Sequence, residues 1–115
     1  TKDGSGIRDY IHVDDLIEGH LKAFDYINNN DGYHLWNLGM GEGLSVYEII
    51  NVFEEKIGKK LNTKIKPKRE GDIGQFWSNT IKAKKELLWE PEKDINDMVG
   101  DSIHYLQKSY NYTNI

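Results

Sequence analysis

The chain of 115 residues has no cysteine, which excludes disulfides and thiolate metal sites and fits a reducing, cytoplasmic compartment. It has no apolar run near the ~20 residues that span a bilayer, and no secretory signal opens it. Positive charge is not in excess. The net charge of -4 gives no overall attraction to nucleic acid or to an anionic membrane. Repeats and linkers are also missing. What is present is the composition of a folded chain: 37% hydrophobic, 30% charged, with three Trp and seven Tyr. The length suits one domain with a modest core. The sequence starts at Thr1 in a loop-like Thr-Lys-Asp-Gly-Ser-Gly run, and is read as a piece of a longer protein.

Alternating elements follow. Asp9 to Val13 is rich in β-formers and reads as a short strand. Asp14 and Asp15 then supply a cap and negative charge for a helix over about 15–27. Its Leu16, Ile17, His20, Leu21, Phe24 and Ile27 recur at helical spacing and are expected to form the buried stripe. Asn28 to Gly32 stops it with turn residues. Tyr33 to Leu38 reads as a strand, and Gly39-Met40-Gly41-Glu42-Gly43 as a turn. Ser45 and Glu48 make a capping box for a helix carrying Ile49, Ile50, Phe53 and Ile57, closed by Gly58. Asn62 to Lys66 reads as a strand ended by Pro67. Thr80 caps a short helix with Ile81, Ala83, Leu87 and Leu88, broken at Glu90-Pro91. Asp94 caps a last helix, whose Ile95, Met98, Val99, Ser102, Ile103, Leu106 and Tyr110 form a stripe before a polar tail from Asn111.

Chemistry concentrates in Arg69-Glu70-Gly71-Asp72, with Trp77 five residues after the aspartate. A fixed planar cation, a flexible backbone point and a carboxylate suit a pyrophosphate and a sugar hydroxyl bound side by side. The same four residues also suit a plain surface turn. A second arginine, Arg8, precedes the first predicted strand, where it would share a face with Tyr10. The glycine loop at 39–43 has G-x-G-x-G spacing and lacks the acidic residue that a dinucleotide fingerprint requires, so a structural turn is the better reading. The basic run Lys59, Lys60, Lys64, Lys66, Lys68, Arg69 reads as a solvated or edge-protecting face, with an RNA stripe as the other reading. The four histidines show no shared metal-ligand spacing, and no nucleophile–base set is visible.

Taken together, Arg8-Asp9-Tyr10-Ile11-His12-Val13-x-Asp15-Leu16, Trp36-Asn37-Leu38-Gly39-x-Gly41, Ser45-Val46 and Arg69-Glu70-Gly71-Asp72 with Trp77 resemble the C-terminal part of the UDP-glucose 4-epimerase family. That family belongs to the extended short-chain dehydrogenases/reductases. The first motif is shared widely among nucleotide-sugar epimerases and dehydratases. The Arg-Glu-Gly-Asp segment with its tryptophan is more particular to the UDP-glucose/UDP-galactose branch. Trp36 stands where the family usually has Tyr, and Phe76 where it often has Tyr, which removes a hydroxyl.

The resemblance implies a mixed α/β fold of about four helices and a few short strands. It would be the single substrate-side portion of a parent enzyme whose NAD-binding Rossmann domain lies outside residues 1–115. It implies that Arg8 and Arg69 hold a UDP diphosphate, that Asp72 accepts from the ribose, that Tyr10 and Val46 line the nucleotide pocket, and that Phe76 lies near the substrate. The family interconverts UDP-glucose and UDP-galactose by transient oxidation at sugar C4 with bound NAD. A Tyr, Lys and Ser or Thr set performs the proton transfer. No such set is found here: Tyr105 and Lys108 are one residue closer than the family's Tyr-x-x-x-Lys. The expectation is therefore an NAD-dependent epimerase as parent, a homodimer, with this chain alone inactive and neither a metal nor a cofactor site of its own. The helix at 15–27 and the strand at 33–38 would pack on the cofactor lobe. Another nucleotide-sugar epimerase or dehydratase, or a non-enzymatic RNA- or protein-binding module using Lys59–Arg69, is the alternative.

Overall fold

The structure, a computed structural model, describes residues 1–110. Four helices and two short strands follow one another: β1 (Ile7–Arg8), α1 (Val13–Ile27), β2 (Leu44–Ser45), α2 (Val46–Ile57), α3 (Ile81–Leu87) and α4 (Ile95–Tyr110). The expected mixed fold of about four helices and a few strands is thus present. The polar tail from Asn111 lies outside the described residues.

The helix ends follow local chemistry. At α2, Ser45 Oγ accepts from the Glu48 amide while Glu48 accepts from the Ser45 amide at 2.6 Å, the reciprocal capping box read from sequence. Gly58 closes that helix at φ 69°, a left-handed position that costs glycine nothing. At α4, Asp94 Oδ1 accepts from the amides of Asn96 and Asp97, and Asp97 accepts in return from the Asp94 amide. These bonds, with that from the Asp97 amide first, hold the Asp94 carboxyl below its ordinary value.

Several boundaries differ from expectation. The segment 9–13 is not a strand: β1 ends at Arg8, and His12 rather than Asp14 or Asp15 caps α1, its ring accepting from the Asp14 amide at 3.0 Å. Ile11 and Val13 carry β-propensity, but the helix that begins at Val13 overrides it. Thr80 makes no side-chain cap; Asn79 Oδ1 accepts from the Ile81 amide instead. Residues 33–38 and 62–66 form no named strand. The first stretch still alternates as a strand does, with His34, Trp36 and Leu38 turned inward and Tyr33, Leu35 and Asn37 exposed.

The larger correction concerns α1. Most of the apolar stripe expected to be buried is open to solvent, Ile17, Leu21 and Phe24 being 52%, 56% and 60% exposed while Leu16 is half-buried, in keeping with a helix expected to pack on a lobe outside these residues. The inward face is Asp15, Gly19, Ala23 and Tyr26. Close approach explains this choice. A Cβ at Gly19 would lie 2.6 Å from Leu38 Cδ1, so only glycine lets α1 settle against Leu38 and Trp89. Trp89 is the centre of the core, 1% exposed, packed with Ala83 and Leu87 of α3 and with Trp36 and Leu38. Its indole donates to the Asp15 carbonyl at 3.0 Å, while the Asp15 carboxylate accepts from the Glu92 and Lys93 amides. α1 packs on α3, and α2 packs on α4, which buries Val99. The radius of gyration, 17.1 Å, exceeds the roughly 13 Å of a compact chain this long.

Candidate functional site

β1 holds the site together. It pairs antiparallel with β2, Ile7 opposite Ser45 and Arg8 opposite Leu44. On its other side Ile7 makes a parallel bridge to Gln75, with the Ile7 amide donating to Gly74 O and the Phe76 amide donating to Ile7 O. The chain segments before α2 and after the Arg-Glu-Gly-Asp motif are thereby brought to one place, although 66 residues separate Arg8 from Gly74.

A cavity of about 640 Å³ opens beside this junction. Its walls are the N-terminal segment, the first turns of α2, and the strap 63–69 continuing to Gly74. Arg8, Val46, Arg69 and Asp72 all line it. Four of the six residues singled out from sequence therefore converge. Tyr10 and Phe76 are not among its lining residues. Tyr10 lies past the end of β1, so it does not share a strand face with Arg8. Phe76 lies past the bridge at Gln75, two residues beyond the last lining position, Gly74. Lys64, Lys66 and Lys68 also line the cavity. The basic run carries no strand; it is an exposed, irregular rim, the solvated form of the two faces expected.

The charges at the cavity are arranged in a definite way. Arg69 is 84% exposed and grips Asp72 with two donors, Nε to Oδ2 at 2.9 Å and Nη2 to Oδ1 at 3.2 Å. This hydrogen bonding holds the Asp72 carboxyl below its ordinary value, with Arg8 adding a further attraction, and raises the Arg69 guanidinium in return. Asp72 is accordingly an acceptor only at neutral pH. Each of its oxygens keeps a second lone pair, and Arg69 keeps its Nη1 donors. The pair can therefore take a hydroxyl on one side and an anion on the other without separating. Arg8 Nη1 donates to its neighbour's carbonyl, Ile7 O, at 2.7 Å.

Sequence reasoning missed the residue at the junction itself, Asp9. Its carboxylate accepts from the Met40 amide at 2.8 Å, the Gly41 amide at 3.3 Å and the Ser78 amide at 3.0 Å, and from the Ser78 hydroxyl. No local signal marks it, because its partners lie 31 to 69 residues away. The glycine loop is explained by the same node. A Cβ at Gly39 would fall 2.2 Å from Ser78 Oγ, and one at Gly43 would fall 2.4 Å from Ile7 Cγ2 and 2.9 Å from the Trp77 ring. The loop's amides face the protein's own carboxylate and its glycines admit the protein's own side chains. A dinucleotide pyrophosphate does not fit there, and the structural-turn reading of 39–43 stands.

One cluster has metal-ligand composition: His12, Asp14 and Asp101, with ligand atoms within 4.8 Å of one another. The buried His12 ring is already engaged at both nitrogens, accepting at Nδ1 from the Asp14 amide and meeting Asp101 Oδ2 at 3.0 Å through Nε2. It ties the start of α1 to α4. Among the described residues no helix is long and apolar enough to cross a membrane.

Comparison with known proteins shows what the chain is similar to. Residues 1–39 match the model of the NAD dependent epimerase/dehydratase family. The chain is 46% identical over 102 residues to UDP-glucose 4-epimerase of Erwinia amylovora, covering 89% of this chain and 30% of that protein. It is 42% identical over 111 residues to UDP-glucose 4-epimerase of Bacillus subtilis, covering 96% of this chain and 33% of that one. Its fold superposes on the crystal structure of UDP-glucose 4-epimerase from Bifidobacterium longum in complex with NAD+ and UDP, with a TM-score of 0.90 and 43% identity over 96% of this chain and 33% of the other. The chain spans about a third of the length of these relatives, in their C-terminal part. The resemblance read from the motifs holds in sequence and in fold over nearly all of the chain.

Proposed function

We propose that this chain is the nucleotide-sugar-holding portion of an NAD-dependent UDP-glucose 4-epimerase, acting in carbohydrate metabolism. The observation that carries the reading is the convergence of Arg8, Arg69 and Asp72, from two distant stretches of chain, on one cavity. In that cavity Arg8 and the remaining donors of Arg69 hold the diphosphate. Asp72, oriented by Arg69, accepts from the ribose. Val46 supplies apolar wall, and Tyr10 and Phe76 stand outside it as flanking residues. The lysine rim raises the local positive potential and draws the anion in.

NAD binds elsewhere on this reading. The one glycine loop with cofactor-like composition is filled by Asp9 and Ser78, so residues outside these 115 hold the cofactor and carry the proton-transferring set. The exposed stripe of α1 and the alternating segment 33–38 are the surfaces that such a portion covers. Their exposure and the chain's open shape support this. A homodimeric parent and a cytoplasmic location go with the same reading and rest on the likeness to the epimerases.

Calorimetric titration of the full-length protein with UDP tests it. Arg69→Ala and Arg8→Ala should each weaken UDP binding by about ten- to a hundredfold, the loss of a charge-assisted contact. Lys66→Ala on the rim should cost about fivefold or less. Wild-type affinity in both arginine variants would overturn the reading. Titration with UDP-, dTDP- and GDP-sugars then separates the UDP-sugar assignment from other nucleotide-sugar enzymes.

A further inference from the structure

We infer that Asp9 is a positioning residue for nucleotide binding, acting through Arg8 without touching the ligand; this rests on the reading above. Asp9 is not among the residues that line the cavity. Its carboxylate instead sits where three segments part: the end of β1, the glycine turn and the stretch after Trp77. It collects three backbone amides and one hydroxyl from the latter two. β1 is only two residues long, and two residues of ladder do not fix a register alone. The carboxylate supplies what the ladder lacks. It is the residue next to Arg8, and Ser78 follows the Phe76-Trp77 pair.

The packing leaves the node no slack. Gly39 has no room for a side chain against Asp9 and Ser78, and Gly43 has none against Ile7 and Trp77. A displaced Asp9 therefore moves the backbone that carries Arg8. The Arg8 guanidinium lies folded over Gly6, with Nη1 3.3 Å from where a Cβ would stand there, and bonds the Ile7 carbonyl. Nη1 also reaches Gly74 O at 3.5 Å, so its hydrogen bonds are to main-chain carbonyls on both sides of the junction, and its aim follows the backbone there. An asparagine at position 9 keeps the size but turns an N–H₂ group toward amide donors, so it loses at least one acceptor position while keeping the fold's volume.

A double-mutant cycle in the full-length protein, read by UDP calorimetry, tests this. Asp9→Asn should weaken UDP binding about tenfold, comparable to losing a charged contact. In an Arg8→Ala background the same change should cost about twofold or less, because the residue it positions is gone. Ser78→Ala, which removes only the hydroxyl donor, should show a smaller loss with the same dependence on Arg8. It serves in place of Asp9→Asn if that variant does not fold. A general loosening of the structure would instead weaken binding equally in both backgrounds, and that additivity overturns the inference, as does an unchanged affinity in Asp9→Asn or in the folded Ser78→Ala. If Arg8→Ala alone leaves UDP affinity intact, the inference fails; if Arg8→Ala and Arg69→Ala both leave it intact, the nucleotide reading fails as well, so the Arg69 variant tells the two failures apart.

Discussion

The two faces of α1 break the usual association of apolar with inside. The inner face, Asp15, Gly19, Ala23 and Tyr26, is partly polar and carries no aliphatic side chain larger than alanine, yet it is closed by Trp89 and Leu38. The outer face, Ile17, Leu21 and Phe24, is strongly apolar, yet more than half exposed. The inner contacts are those that these 115 residues make for themselves. The outer stripe is apolar surface that the described residues leave uncovered, the kind of patch that elsewhere accompanies interaction surfaces.

The comparison can be broken most directly at Trp89. Trp89→Ala should cost the chain about 3–5 kcal/mol in urea unfolding, the usual range for a buried tryptophan. A variant that unfolds like the parent would show that the inner face contributes little. Asp15→Ala is next. It leaves the Glu92 and Lys93 amides without their acceptor and should cost about 2 kcal/mol by the same measurement. Away from α1, Ser45→Ala removes a buried cap that also donates to Asp3, and should cost about 1 kcal/mol. On the outer face, Leu21→Ser should change the stability of the isolated chain by no more than about 0.5 kcal/mol. It should nonetheless reduce self-association in sedimentation experiments. A large loss of stability there would erase the distinction between the faces.

The smallest effect is electrostatic. Asp72 is held below its ordinary value chiefly by Arg69, so its charged form is favoured in the folded chain. A carboxylate depressed in this way stabilises above the unfolded value near 4 and loses that contribution as pH falls through the folded value. Carbon-detected NMR should place the Asp72 midpoint below the unfolded value. Arg69→Ala should move it upward, and an unmoved midpoint would contradict the paired geometry.

What the sequence disclosed divides along the range of the interactions. The capping box at Ser45 and Glu48, the Gly58 stop and the Asp94 cap are contained within a few residues, and each stands in the structure. The family motifs disclosed the fold class and four of the cavity residues. The interior of α1 was not legible, because Gly19 takes its role from Leu38 and Trp89, 19 and 70 positions on. Trp89 itself carries no periodic signal; it follows Leu88, whose left-handed backbone at φ 52° ends α3. The segments at 9–13, 33–38 and 62–66 were read as strands from residue preference. Strand assignment needs a hydrogen-bonded partner, which no single stretch can display. Asp9 escaped for the same reason.

The cavity is assembled from residues 1–8, 46–50 and 63–74, so it has no counterpart in the unfolded chain. Whatever settles there must therefore raise the melting temperature by mass action, by about 2.7 kcal/mol of added stability when the ligand stands at a hundred times its Kd. Thermal shift against a panel of small anions thus becomes a search for ligands that needs no turnover and no assumption about chemistry.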